Sequence, residues 1–516
     1  QSATAVLEKI RDQIHAATPE AADFMLGPGG ERTAFPLSQV TTITWRQQTL
    51  VDPPYFPPGS VTLPLALANI FPGTVGSVAF GRFPSPDYQV HPGEYIPAVG
   101  TRRGTPTPRG TNEIYFNLFL PSGQTPPDGW PVVIVGHGVN NSKNVLPLNV
   151  VSSMAKHGIA TIAINAAGHG FGSRGTLTVN RSAGGPVTFP AGGRGIDQDG
   201  NGSIGDSEGL STTRPRIAVG LSDGYRQTAA DLMQLARVIQ VGIDADGDGL
   251  RDLDPARIYY FGNSLGGGYG TVFLAVEPTV RAGVVAVPFD PIPGALRGLF
   301  RSVPGEILAS RLPPLLNPPG IRVIDGLELS PPFFDDNTPL RDQIPMTVEP
   351  EDLTARIVQS PVLNTVTGAM AIQRMGETFE WVSQAGSPLA YAPHLRKAPL
   401  VGVSARPVLF QIAKGDQTAP NPTTTAMLRA GDLADWTLYY RHDLARAEDP
   451  LMPANPHGFA VGVAPTSRFR LIALGAQDQA AAFFASDGAM IIHPEPARFF
   501  EVPIAGPLPE NLNFIR

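Results

Sequence analysis

The chain has no cysteine among its 516 residues, which excludes disulfides, thiolate–metal sites and a cysteine nucleophile. No apolar run approaches the ~20 residues needed to span a bilayer, so no transmembrane segment is expected. A basic run is also missing. With a formal charge of −7, that argues against nucleic acid as a partner. Glycine (56) and proline (54) are abundant, against an ordinary apolar content of 42%. Together they stay below the roughly 25–30% that marks disorder, and so predict long ordered loops. The length corresponds to roughly two or three domain equivalents. A first residue Gln1 in place of methionine fits a processed secretory protein or a trimmed chain equally well.

Residues 1–110 read as an irregular, Pro/Gly-punctuated N-terminal extension leading into the first strands. It opens with Val6, Leu7, Ile10 and Ile14 at helical spacing. From 111 to 289 strands and helices alternate. Pro131–Val135 is a continuous apolar run, as a strand buried on both faces requires, and it ends in Gly136-His137-Gly138-Val139. A helix is expected over 145–157, a strand over 159–164, and a long polar insertion over 170–215. Leu232, Leu235, Ala236 and Ile239 then mark a helix, followed by a strand at 257–262, a helix at 265–277 and a strand at 282–287. This alternation predicts an α/β fold, a mainly parallel twisted sheet flanked by helices. Between 290 and 404 it breaks into a segment rich in Leu, Pro and Phe. That segment is too long for a connecting loop and predicts a cap or lid. Residues 405–516 resume with a strand at 407–413, a helix at 422–431, a strand at 436–440 and a helix at 468–485, then a tail of no readable role.

Gly-x-Ser-x-Gly occurs three times, around Ser207, Ser222 and Ser264. The pattern carries chemistry only as a sharp strand-to-helix turn, where glycines leave room beside a strained, exposed serine. Ser207 lies in an acidic loop. Ser222 follows only the short Ile217-Ala218-Val219 and reads as a helix N-cap. Ser264 alone follows a full buried strand and precedes a glycine-rich helix, so it is the expected nucleophile. Its hydroxyl needs an oriented base, and behind such an elbow the acid and base follow in chain order, on loops after later strands. Asp416 in Lys414-Gly415-Asp416-Gln417 and His457 in Asn455-Pro456-His457-Gly458 meet that order; Asp432 and His442 are the rivals. His442 sits directly at a strand end, with little slack to reach a serine. Donors for a developing oxyanion are assigned to the N–H groups of Val139, with Gly138 as the alternative, and of Leu265. His137 reads as a prop for its loop.

His137-Gly138, Ala167-Gly168-His169-Gly170, Gly262-Asn263-Ser264-Leu265-Gly266 and Gly415-Asp416-Gln417 together resemble the α/β-hydrolase superfamily, specifically bacterial secreted serine esterases and lipases. The resemblance covers residues 112–290 and 405–470. It implies a Ser264–His457–Asp416 triad, an acyl-enzyme and no organic cofactor. Members commonly carry His, Asp, Glu or Tyr before the serine, and Asn263 departs from that.

Two loops point to a hard cation. Asp197, Asp199, Asn201, Ser203 and Glu208 fall at positions 1, 3, 5, 7 and 12 of the EF-hand template, with glycine at 6. A second loop repeats the opening with Asp244, Asp246, Asp248 and Leu250. It has Pro255 at position 12, so Asp252 or Asp254 must close the cage. One or two structural Ca2+ ions are therefore expected. Calcium at extracellular concentration fills even weak loops, which favours a secreted or periplasmic protein. The expected function is hydrolysis of a small-molecule or lipid-like carboxylic ester with a hydrophobic acyl or aromatic part. A peptidase or amidase of the same fold and a catalytically silent cell-surface binding protein are the alternatives.

Overall fold

The computed structural model describes residues 3–99, 104–210, 217–290 and 369–509, with four short strands between 322 and 358. Ten strands of these residues form the main sheet: β1 (Ala34–Pro36), β2 (Val75–Asp87), β3 (Gly110–Pro121), β4 (Trp130–Gly136), β5 (Ala160–Ile164), β6 (Leu253–Asn263), β7 (Val280–Ala286), β8 (Val408–Ala413), β9 (Thr437–Tyr440) and β10 (Phe500–Glu501). Their spatial order is β1-β2-β3-β5-β4-β6-β7-β8-β9-β10. The pairings from β5 to β9 are all parallel, and the edge strands join antiparallel.

The apolar runs expected as strands are buried on both faces because alternate residues point to different cores. Val132, Ile134, Ile258, Tyr260, Val285 and Phe410 enter one cluster, and Val133, Val135, Tyr259, Phe261, Val284 and Leu409 enter the other. The first core is covered by α1 (Ala5–Ala16), α3 (Ile217–Val241) and α4 (Leu265–Val276). The second is covered by α2 (Val151–Lys156) and α6 (Arg470–Ala485). A further helix, α5 (Asn421–Gly431), leads from β8 towards β9.

Several details differ from the sequence reading. Ser222 is not an N-cap: it lies inside α3, buried, where the backbone of Gly386 packs against it. The polar insertion contains strands Thr176–Arg181 and Val187–Pro190, which join Val40–Arg46 and Val61–Thr62 in a four-stranded sheet. The tail supplies β10 at the sheet edge. Of the segment expected as a cap, 290–404, residues 291–321 and most of those up to 368 lie outside the described residues. Helix Ala369–Ser383 and the short helix Pro388–Tyr391 are described. The Ser387 hydroxyl donates to buried Asp290 Oδ2 at 2.6 Å, tying together the two ends of the segment's described boundary. Among the described residues no helix is long and apolar enough to cross a membrane.

Candidate active site

β6 ends at Asn263, and the chain reverses into α4 through Ser264, whose φ of 58° and ψ of −118° are strained for a residue with a Cβ. Glycines make the turn physically possible. A Cβ on Gly262 would run into the Gly266 carbonyl, and one on Gly266 would run into the Gly136 carbonyl, so helix, elbow and β4 approach backbone to backbone. The Tyr260 hydroxyl donates to Gly266 O at 2.6 Å and the Tyr269 hydroxyl to His137 O at 3.1 Å, fixing this junction.

Two loops at the ends of later parallel strands reach Ser264. The loop after β8 carries Asp416, and the loop beyond β9 carries His457. His457 Nε2 lies 2.8 Å from Ser264 Oγ, and its Nδ1–H donates to Asp416 Oδ2 at 2.8 Å and Oδ1 at 3.0 Å. Asp416 is buried, and its Oδ1 also accepts the N–H groups of Thr418 and Ala419, both at 2.8 Å. These bonds fix the orientation of the carboxylate, and its acceptance of the Nδ1–H leaves His457 Nε2 facing the serine. The three residues singled out from the sequence are thus brought into one hydrogen-bonded line. The rivals are elsewhere. His442 is buried, bonded to Pro453 O at 2.8 Å and to the Tyr440 hydroxyl at 3.2 Å, with its pKa lowered by burial. Asp432 is the exposed, left-handed cap of α5.

The loop after β4 passes beside the elbow: a Cβ on Gly138 would stand 3.2 Å from Ser264 Cβ and 3.6 Å from its Oγ. Among the described residues neither the Val139 nor the Leu265 N–H is engaged by a protein acceptor, which leaves both free for an incoming oxygen. Fully buried His137 has its pKa pushed down to about 3 by desolvation, with neighbouring His169 adding to the shift. The neutral ring bonds Gly138 O through Nδ1 at 2.9 Å and accepts the Ala166 N–H through Nε2 at 3.0 Å. It is a prop, as its place in the sequence implied. Further along, Lys143 is fully buried with amide acceptors only, Asn117 Oδ1 at 2.8 Å and Asn144 Oδ1 at 3.1 Å. Burial pushes its pKa down to about 7. Nothing in the composition separates this lysine from a surface one.

The two acidic loops fold alike. Asp197 accepts the N–H groups of Gly200 (2.8 Å) and Gly202 (2.9 Å), and Asp244 accepts those of Gly247 (2.6 Å) and Gly249 (3.0 Å). Glu208 closes the first loop on Gln198 N–H at 2.8 Å, and Asp252 closes the second on the equivalent Ala245 N–H at 2.7 Å. Carboxylate oxygens of Asp197, Asp199 and Glu208 converge within 4.8 Å, as do those of Asp244, Asp246 and Asp252. Asp248 and Asp254 fall outside the second cluster and accept from Leu250 and Ala256. Asn201 Oδ1 accepts the Ser203 N–H at 2.8 Å, which turns the first loop past its position 5. Burial raises the Asp252 pKa to about 6, and repulsion from Asp246, Asp244 and Asp248 adds to it. An all-oxygen set of this kind is chemically suited to a hard divalent cation.

The sequence matches no model of a known protein family and no curated protein. Solved structures with similar backbones include an acetyl xylan esterase from Paenibacillus sp. R4, at 15% identity over 71% of this chain and 81% of that one, with a TM-score of 0.34. Acetyl xylan esterase 1 from Thermoanaerobacterium sp. JW/SL YS485 matches at 13% identity, 82% of each chain and a TM-score of 0.35. An esterase from the archaeon Pyrobaculum calidifontis matches at 13%, covering 83% of this chain and 90% of that one, with a TM-score of 0.31. The protein's own strand order, with a strained serine elbow between a parallel strand and a glycine-rich helix, is that of the α/β-hydrolase fold.

Proposed function

We propose that the protein is a serine hydrolase of carboxylic esters. The observation that carries the reading is the 2.8 Å contact between Ser264 Oγ and His457 Nε2, with His457 in turn bonded to a buried carboxylate. Ser264 Oγ attacks the ester carbonyl carbon as His457 Nε2 takes its proton. The Val139 and Leu265 N–H groups hold the oxyanion, and Asp416 stabilises the imidazolium. The imidazolium then protonates the leaving alcohol as the C–O bond breaks. Water, deprotonated by His457, releases the acid and restores Ser264. The apolar insertion at 290–404 supports a hydrophobic acyl or aromatic substrate, lipase-like in character.

The reading includes structural calcium. Asp197, Asp199, Asn201, Ser203 and Glu208 would hold one ion. The converging Asp244, Asp246 and Asp252 would hold another, with Asp248, which stands outside that cluster, and the Leu250 carbonyl completing the set. Bound calcium would neutralise the clustered carboxylates and stiffen both loops, with no part in the chemistry. A compartment rich in calcium, outside the cell or in a periplasm, follows from the same reading.

A fluorophosphonate probe tests the assignment. The expected result is one adduct on Ser264, and a Ser264→Ala variant with kcat/KM on p-nitrophenyl esters reduced by at least roughly a thousandfold. An unlabelled Ser264 in folded protein overturns it. Esters of graded chain length run against anilides then separate esterase, lipase and amidase.

A further inference from the structure

The aspartate and histidine of the site stand on separate loops, and a line of hydrogen bonds 2.8 Å long tolerates little drift between them. Beside a longer bond from Gln417 Nε2 to Ala454 O at 3.4 Å, the Asn455 side chain spans the two loops. Asn455 Oδ1 accepts the N–H of Gln417 at 3.1 Å, on the loop of Asp416, and the N–H of His457 at 3.2 Å, on its own loop. Its Nδ2 donates to Thr418 Oγ1 at 2.9 Å. Thr418 is also one of the two residues whose N–H groups hold Asp416 Oδ1. The amide therefore grips the acid loop at the two residues that follow Asp416, and the base loop at the backbone of the histidine itself. Pro453 and Pro456 flank the turn and have no N–H of their own to donate across the gap.

We infer that Asn455 is a positioning residue, a bracket that sets the distance between the Asp416 and His457 loops and keeps His457 Nε2 in line with Ser264 Oγ. It touches no reacting atom, and its role rests on the proposed roles of Asp416 and His457. Asparagine suits the place because one end accepts two backbone donors from different loops while the other donates to a hydroxyl. Alanine removes all three bonds. Aspartate keeps both accepted bonds, and the Thr418 hydroxyl can rotate to donate to it.

The experiment compares Asn455→Ala, Asn455→Asp and Thr418→Val with the wild-type chain, by steady-state kinetics on p-nitrophenyl acetate and amide hydrogen exchange. In Asn455→Ala, kcat is expected to fall about tenfold to a hundredfold, because the acid–base geometry is loosened. KM should stay within about threefold, since the acyl-binding surface is untouched. Exchange should quicken at the Gln417 and His457 amides. Asn455→Asp should recover most of the lost kcat and move the acidic limb of its pH profile upward, because the added carboxylate favours the imidazolium. A kcat within about twofold of wild type in Asn455→Ala, or no recovery in Asn455→Asp, overturns the proposal. Should Asn455→Ala not fold, Asn455→Asp and Thr418→Val decide: an unmoved acidic limb in Asn455→Asp, with wild-type exchange at the Gln417 and His457 amides in Thr418→Val, overturns it. Absence of phosphonate labelling in the wild type would defeat the hydrolase reading, and the exchange of the Gln417 and His457 amides would still report whether the bracket exists.

Discussion

The acidic loops at 197–208 and 244–254 open with the same Asp-x-Asp-Gly logic and fold the same way, yet they are fastened to opposite ends of the sheet. The first lies at the end that carries the elbow. Its Ser207 hydroxyl donates to Asn140 Oδ1 at 2.7 Å, one residue from Val139 on the loop after β4, and its Asp206 carbonyl accepts the Gly170 N–H at 2.8 Å. The second lies where the strands begin. The Asp252 carbonyl accepts the Trp130 N–H at 2.7 Å, at the first residue of β4, and β6 then runs on to Asn263 before reaching Ser264. At about 3.3 Å per residue that is roughly 35 Å of strand. A local motif therefore states what a loop can hold, while its attachment states what holding it does. The first loop is expected to act on the site and on stability, and the second on stability alone.

The sharpest way to break this contrast is to open each loop in turn. Glu208 accepts the N–H groups of Gln198 and Gly205, both at 2.8 Å, besides facing the two aspartates. Glu208→Ala removes these charge-assisted bonds and a proposed calcium ligand, an expected loss of roughly 4 kcal/mol with a parallel fall in kcat. Asp244→Asn should cost roughly 2 kcal/mol, with kcat unchanged in the protein that remains folded. Thermal melts and kinetics with calcium, and again with a chelator, read both. Equal effects on kcat would show that attachment does not matter, and no chelator effect on either melt would remove calcium from the account.

This also marks what was legible in the sequence. Strands buried on both faces announce themselves as unbroken apolar runs, and a serine elbow needs its glycines, so β4 to β9 and the Ser264, Asp416, His457 order could be read locally. Attachments could not. Val40–Arg46 pairs with Thr176–Arg181 across a gap of more than a hundred residues, and no local pattern states which distant strand is the partner. Ser222 looked like a cap because Ile217 and Val219 are β-prone. The α3 helix wins there by burying Tyr225, Ala229, Leu232 and Met233 against the sheet. Asn455 and Lys143 depend on distant partners, Gln417 and Thr418 for the first and Asn117 for the second. The choice between Asp252 and Asp254 likewise depended on which carboxylate folds back onto Ala245.

The loop after β4 is gripped at a second point, and that grip can be measured apart from the first. Lys143 is held at a pKa of about 7 by burial, against an ordinary value of 10.5. Between those values the unfolded chain carries the proton and the folded chain does not, so unfolding takes up a proton and the wild type gains stability as pH rises. The slope is about 1.4 kcal/mol per pH unit at most, and below pH 7 the lysine's cost is fully present. Lys143→Met has no such titration. Its stability relative to wild type is therefore expected to be highest near pH 6 to 7 and to decline steadily towards pH 10 in denaturant titrations. A difference independent of pH would mean that Lys143 keeps its proton when folded.

The smallest effect tests the link itself. Ser207→Ala leaves Asp197, Asp199 and Glu208 in place and deletes only the hydroxyl that reaches Asn140, a partly exposed bond worth about 1 kcal/mol. If the first loop acts on the site through Asn140, the variant keeps its calcium-dependent melting shift and loses most of the calcium dependence of kcat. A variant whose kcat still follows calcium as the wild type does would route the influence elsewhere. The Gly170 N–H bond to Asp206 O would be the next contact to cut, and since it is a backbone bond, only a change at Gly170 could reach it. Gly170 has a φ of 83° and a Cβ added there would run into the Asn165 side chain, so any such change would disturb far more than one hydrogen bond. The serine is where the coupling can be severed alone.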